Sequence, residues 1–218
     1  MSTRPAAVLH RQSEAPSEDA DFVLLASIFA RVLSPQAGRT AAEEMIETFH
    51  GLAGVAAADE AALLRAGLDQ ACVAELVRIR AMALAMMRAQ ACARPVLSSW
   101  TALTAYLRAA LAHAPREQFR TLYLDKRNIL MREEHRAEGT TDHAPVYVRE
   151  VVRRALELSA SAIILVHNHP SGDPTPSRPD IDMTRRIVDA AKVFDIQVHD
   201  HVIVGREGTK SFRALGLM

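Results

Sequence analysis

The run Ala160-Ser161-Ala162-Ile163-Ile164-Leu165-Val166-His167-Asn168-His169-Pro170-Ser171-Gly172-Asp173-Pro174-Thr175-Pro176-Ser177-Arg178-Pro179-Asp180 decides how the second half of this chain folds. Its apolar opening, Ala160 to Val166, reads as a buried strand. Side chains two apart on a strand share a face, so His167 and His169 point one way and Asn168 the other. The glycine and prolines that follow force a turn. An amphipathic helix is expected over 178–194, with Asp180 in its first turn. From there Asp180 can swing back as a third, anionic ligand beside the two imidazoles. Two His, one carboxylate and a fourth position open to water are the ligand set of a catalytic zinc site.

Ser177 and Asp180 also fit a helix capping box, in which the Ser hydroxyl only satisfies free backbone N–H groups. One hydroxyl serves a cap and a catalytic role only in part. The full pattern H-x-H-x7-S-x2-D, met by His167, His169, Ser177 and Asp180 with no residue out of place, favours the metal reading. The literal string His-Asn-His is shared with the HNH nucleases. Their residues are spread along a longer ββα element, so that coincidence is weak.

This pattern resembles the JAMM (MPN+) metallohydrolase motif. The flanking HNHPSG, PTPS and DHVIVG resemble one bacterial branch, the RadC-like proteins. The resemblance implies an MPN/JAB-type α-β-α domain with a mixed sheet and one zinc ion held by His167, His169 and Asp180. It implies a role for Ser177 in holding the tetrahedral intermediate. It also implies a general base from a Glu just before the domain's first strand, and Glu117 in Arg116-Glu117-Gln118-Phe119 matches that position. On its own Glu117 is an acid at a strand start. Glu133, Glu134 and Glu138 are rivals on a neighbouring strand. Val148 stands where the family usually has proline, which puts a local turn in doubt.

A second H-x-H, His199-Asp200-His201, lies on the last apolar strand. In the family Asp200-His201 belongs to a core-strand signature outside the metal's ligands, and we read these three as buried or supporting groups. Other zinc families fail on spacing, since there is neither H-E-x-x-H nor P-C-x-x-C. No Walker-type phosphate loop occurs.

Working outward, the 218 residues suffice for two small domains, and Lys+Arg and Asp+Glu balance at 26 each. No global field therefore favours nucleic acid or an anionic membrane. The two cysteines, Cys72 and Cys92, have no metal or CxxC spacing and read as small core residues of a reduced, cytoplasmic protein. The N-terminus has no apolar signal-like stretch, and no membrane span is expected.

Residues 1–20 read as a disordered tail and 21–113 as a helical unit. Helices are expected over 21–33, 39–51, 59–65, 72–92 and 98–112. Leu63 to Arg88 loosely resembles the helix-hairpin-helix region of RadC-like proteins. Its turn, Gly67-Leu68-Asp69-Gln70-Ala71, is degenerate: one glycine and an acid replace the usual Gly-x-Gly. Residues 1–113 hold ten basic and eleven acidic residues, a poor phosphate clamp even with Arg78, Arg80, Arg88 and Arg94 available.

Beyond Pro115, residues 114–218 read as the zinc domain. Strands are expected over 119–124 and 129–132, a short extended piece over 146–148, and a helix over 150–158. The His strand, the 178–194 helix and a last strand over 196–204 follow. The order β-β-β-α-β-α-β implies a mixed sheet with helices on its faces, an α+β fold behind a helical N-terminal part.

Three functions fit. The first is a zinc metallopeptidase-like hydrolase acting on a peptide or isopeptide-type amide of a protein or peptide substrate. The second is a DNA-associated protein linked to repair or nuclease action, disfavoured by the neutral charge and the degenerate hairpin. The third is a metal-bound scaffold without turnover.

Overall fold

A computed structural model of the chain describes residues 18–92, 95–138 and 147–218, with the backbone alone at 18, 19, 97 and 136–138. The first seventeen residues, most of the expected tail, lie outside that range. Helices α1 (Glu18–Phe29), α2 (Pro35–Phe49), α3 (Leu52–Ala57), α4 (Glu60–Arg65) and α5 (Gln70–Cys92) form the N-terminal part. A 3₁₀ turn, Val96–Ser99, leads into α6 (Trp100–Leu111). Then come β1 (Gln118–Leu124), β2 (Leu130–Glu138), α7 (Val148–Glu157), β3 (Ala162–Asn168), α8 (Arg178–Lys192), β4 (Gln197–Gly205) and β5 (Gly208–Ser211). The fold is α+β, with a mixed sheet in the order β2-β1-β3-β4-β5. β3 and β4 are parallel and joined across α8, while the other neighbours are antiparallel.

All seven residues of β3 are buried, so both of its faces must be covered. Period-two alternation divides the sheet between two cores. Ile164 and Val166, with Leu122 and Leu124 of β1, pack under Leu103, Leu107 and Leu111 of α6. Ile163 and Leu165, with Phe119 and Tyr123, pack under Val151 and Ala155 of α7 and Ile187 and Ala191 of α8. A third core, built on Leu25, Phe29, Met45, Leu63 and Leu76, holds α1 to α5 together. The α4–α5 turn carries Gly67 at φ 90°, a left-handed conformation that glycine tolerates best.

Three expectations are corrected. Of the extended piece at 146–148, residue 146 lies outside the described residues, Tyr147 belongs to no strand, and Val148 opens α7. The final hairpin strand β5 escapes the apolar reading because Gly208-Thr209-Lys210-Ser211 is polar and pairs only with β4, at the sheet's edge. The observed order is therefore β-β-α-β-α-β-β. Strand β2, of which the reading at 129–132 gave only the opening, runs from Leu130 to Glu138. It is the opposite edge strand, and charged side chains are how such edges avoid further pairing.

Candidate metal centre

The site is built where β3 ends. Phe119 of β1 is paired with His167, and the two rings stack at 6.4 Å between centroids. His167 thus faces the α7/α8 side, as its parity requires. Asn168 faces the other way, where its amide donates to the carbonyls of Ala114 (3.4 Å) and Arg116 (3.1 Å) and its Oδ1 accepts from the N–H of Gln118 (2.9 Å). Buried amide groups need such partners, and these tie the entry of β1 to the His strand.

The loop after His169 is held from two sides. Arg206, in the β4–β5 turn, donates to the carbonyls of Pro170 (2.9 Å) and Ser171 (2.6 Å). Gly205 lies so close beneath that a Cβ there would sit 2.0 Å from the Gly172 carbonyl oxygen, so only glycine fits without moving backbone. Asp173 closes the turn by accepting from the N–H (2.9 Å) and hydroxyl (2.6 Å) of Thr175.

The chain then enters α8 through the capping box that the sequence offers. Ser177 N–H (2.8 Å) and Oγ (2.6 Å) donate to Asp180 Oδ2, and Asp180 N–H donates to Ser177 Oγ at 3.3 Å. The cap does not displace Asp180 from the His pair. Its Oδ1 lies 3.4 Å from His167 Nε2 and its Oδ2 3.5 Å from His169 Nε2. Burial opposes the Asp180 carboxylate, but bonds from His167 and His169 outweigh it and hold its pKa well below the usual range. The His169 pKa is raised, first by Asp180, against the opposing effect of burial; the Glu117 charge adds a smaller push.

Proton positions follow from the partners. The Thr184 hydroxyl lies 2.6 Å from the Asp180 carbonyl, which can only accept, so its single proton points there. His201 Nδ1, 2.6 Å from the same hydroxyl, must then donate to it. Complete burial lowers the His201 pKa well below normal and keeps that ring neutral, so its Nε2 is an acceptor. His167 Nδ1, 2.8 Å away, donates to it. On the other ring His169 Nδ1 donates to the Asp173 carbonyl at 2.8 Å. With each Nδ1 turned to its own acceptor, the two Nε2 atoms converge to 3.0 Å beside the Asp180 carboxylate. Deprotonated at Nε2, the two rings would offer converging lone pairs to a cation. Two nitrogens at this separation can share an ion at the ~2.0–2.1 Å of a Zn–N bond. The ligand atoms of His167, His169 and Asp180 lie within 4.8 Å of one another, the one such trio of His, Cys, Asp or Glu among the described residues. The residues fit a divalent metal.

The second H-x-H divides. His201 supports His167 from beneath, while His199 Nε2 donates to Asn128 Oδ1 at 2.6 Å. Asp200 accepts from Ser211 Oγ (2.5 Å) and the Arg213 N–H (3.1 Å), fastening the last hairpin. Glu117 lies half-buried immediately before β1, two residues from Phe119 and so of the same parity as the His face. Glu133 pairs with Leu122 and turns to the α6 side, where Tyr106 (2.8 Å), Arg120 (2.8 Å) and Arg88 (3.2 Å) bind it. Glu134 is bound by Arg154 of α7 at 2.6 Å. The Glu138 side chain lies outside the described residues.

Thr184 and Arg206 were not singled out in the sequence. A buried Thr four residues after a candidate ligand, on the inward face of its helix, was the available sign. Nothing local marks Arg206. Outer groups that orient a ligating ring typically change metal affinity by about 10–100-fold when lost. Thr184→Val keeps the shape and removes the hydroxyl, so we expect zinc affinity to fall about 10–100-fold, read by competition with a chromophoric chelator, and the metal-free protein to lose about 1–3 kcal/mol of stability from the unpaired His201 N–H. An unchanged affinity would remove Thr184 and His201 from the account.

A protein with this sheet, this loop and this trio has the architecture of a JAB-type domain. The model of the RadC-like JAB domain matches residues 97–217, and the chain belongs to that family. The match begins ahead of α6, the helix that shares a core with the sheet. The chain is also similar to a protein of Rhodobacter capsulatus described as a UPF0758 protein. The two are 49% identical over 199 residues, covering 91% of this chain and 93% of the relative.

Proposed function

We propose that the protein is a zinc-dependent hydrolase that cleaves a peptide or isopeptide-type amide in a protein or peptide substrate. The observation that carries the reading is the convergence of His167 Nε2, His169 Nε2 and the Asp180 carboxylate on one point. His167, His169 and Asp180 hold the ion, and zinc when bound lowers the pKa of a coordinated water toward ~7 and polarises a carbonyl.

The remaining work falls to the chain. Glu117 takes a proton from the attacking water and passes it to the leaving nitrogen. Its placement on the His face, and the pull of its charge on His169, support that role. Ser177, freed from Asp180 Oδ2 by rotation about its Cα–Cβ bond, donates to the oxyanion. His201 and Thr184 keep the His167 ring from turning. The free, unpaired Cys72 and Cys92 support a reducing, cytosolic setting. No helix among the described residues is long and apolar enough to cross a membrane.

The charge of the helical part weighs against a nuclease reading: Arg78 is paired with Glu75 and Arg88 with Glu133, while Arg80 bonds only backbone carbonyls and Arg94 lies outside the described residues. The test is a zinc-loaded preparation offered a panel of isopeptide-linked and linear peptides beside duplex and single-stranded DNA. Chelator-sensitive amide cleavage is expected. DNA cleavage alone would replace this reading, and a zinc-bound protein inert on every amide would make it a scaffold.

A further inference from the structure

On the α6 side of the sheet, away from the His face, a cavity of about 620 Å³ opens between the N-terminal helices and α6. Its walls are apolar along their length: Leu24 and Ile28 of α1, Leu76 and Leu84 of α5, and a run of alanines from α3 and α6. Leu24 and Ile79 are 51% and 42% exposed there, more apolar surface than a groove with no occupant needs to show. Polarity is confined to Arg80, Arg108, His113 and Arg206. Burial lowers the His113 pKa, and the charges of Arg206, Arg80 and Arg108, which line the same cavity, add to the shift.

These cations are uncompensated. Arg80 makes only two long bonds, to the carbonyls of Ala57 (3.3 Å) and Ala58 (3.4 Å). Arg206 binds the Pro170 and Ser171 carbonyls, and Arg108 is exposed. Among the described residues no carboxylate pairs with any of the three. Cations that lack a carboxylate partner leave the cavity able to pair with a bound anion.

We propose that this groove binds a free amphiphilic anion, one carboxylate or phosphate head on an alkyl-like body. The head lies among Arg80, Arg108 and Arg206, and the chain lies along Leu24, Ile28, Leu76 and Leu84. The volume falls within the ~300–1,000 Å³ of small-molecule sites, which are mostly apolar with a few placed polar groups. An apolar lining that also carries three cations suits an amphiphilic anion. An extended peptide brings an amide at every residue, and the apolar walls offer those amides no partners. The chain's own residues 1–17, with Arg4 and Arg11 against the single acid Glu14, carry the wrong sign for the cationic end. Because Arg206 also holds the two residues after His169, a bound head shares a guanidinium with the metal loop. This reading does not depend on the zinc chemistry.

The experiment is calorimetric titration of the full chain with octanoate, decanoate, dodecanoate and dodecyl phosphate, each below its micelle concentration. Dodecanol is the neutral control, and flotation with phosphatidylglycerol vesicles is the membrane arm. Saturable binding at one site is expected, tightening about fourfold for each added CH₂, from ~0.8 kcal/mol per buried methylene. Arg108→Glu should weaken dodecanoate and dodecyl phosphate at least tenfold and leave dodecanol unchanged. Ala109→Trp, at an exposed helical alanine that lines the groove, should block all chain lengths while the protein stays folded by circular dichroism. No saturable binding would overturn the proposal. So would equal affinity for dodecanol, insensitivity to both variants, binding to vesicles without binding to monomers, or binding that emerges only once residues 1–17 are deleted.

Discussion

His169→Ala is expected to keep the fold and lose stoichiometric zinc. The ring is only part-buried, with 17% of its side chain exposed, so its removal opens no closed cavity. The loop keeps its other holds: the His169 N–H still donates to the Val204 carbonyl at 2.9 Å, and Arg206 still binds Pro170 and Ser171. What is lost is one of two lone pairs aimed at the same point. His167 and Asp180 alone fall short of the three protein ligands of a catalytic zinc site. The fall in affinity should exceed the about 10–100-fold typical of losing an outer group. His199→Ala is the control, since that ring bonds Asn128 rather than the trio. Metal content after dialysis against a weak chelator, with a circular dichroism melt on the same samples, reads both. Full zinc in His169→Ala, or loss in His199→Ala, would relocate the site.

The His strand and its loop were legible because several constraints coincide there. A seven-residue apolar run fixes β3, the prolines fix the turn, and parity sets which side His167 and Asn168 take. The Ser177/Asp180 pair reads two ways, and the structure contains the cap while leaving Asp180 against the imidazoles, because a carboxylate has two oxygens and four lone-pair sites. What stayed hidden was decided by partners distant in sequence. The length of β2 and the existence of β5 come from pairing with β1 and β4, not from apolar pattern. The fate of Glu133 is set by Tyr106, Arg88 and Arg120, none of which is its neighbour in the chain. The hold of Arg206 on the metal loop spans 35 and 36 residues, a distance at which composition says nothing.

Glu117→Gln is expected to keep zinc and lose hydrolysis by about 10²–10⁴-fold, the usual contribution of a general acid–base group. That loss corresponds to about 2.7–5.5 kcal/mol of transition-state stabilisation. Two histidines and one aspartate leave the ion with net positive charge, enough to activate water but unable to hand a proton to nitrogen. An amide nitrogen leaves poorly unless protonated, so a carboxylate must stand within reach of the water. The pairing of Phe119 with His167 brings the start of β1, which Glu117 precedes, beside the end of β3. Its rivals are committed elsewhere: Glu133 to the opposite face, and Glu134 to Arg154. Gln preserves the shape of Glu117 and removes its basicity, so a packing role would leave the rate unchanged while a proton-transfer role would not. Steady-state rates on a cleavable isopeptide, with zinc content measured on the same protein, decide the matter. Normal turnover in Glu117→Gln together with a dead Glu138→Gln would move the base to the end of β2. A Glu134→Gln chain is expected to melt earlier, through loss of its Arg154 partner, yet to turn over at the normal rate while folded.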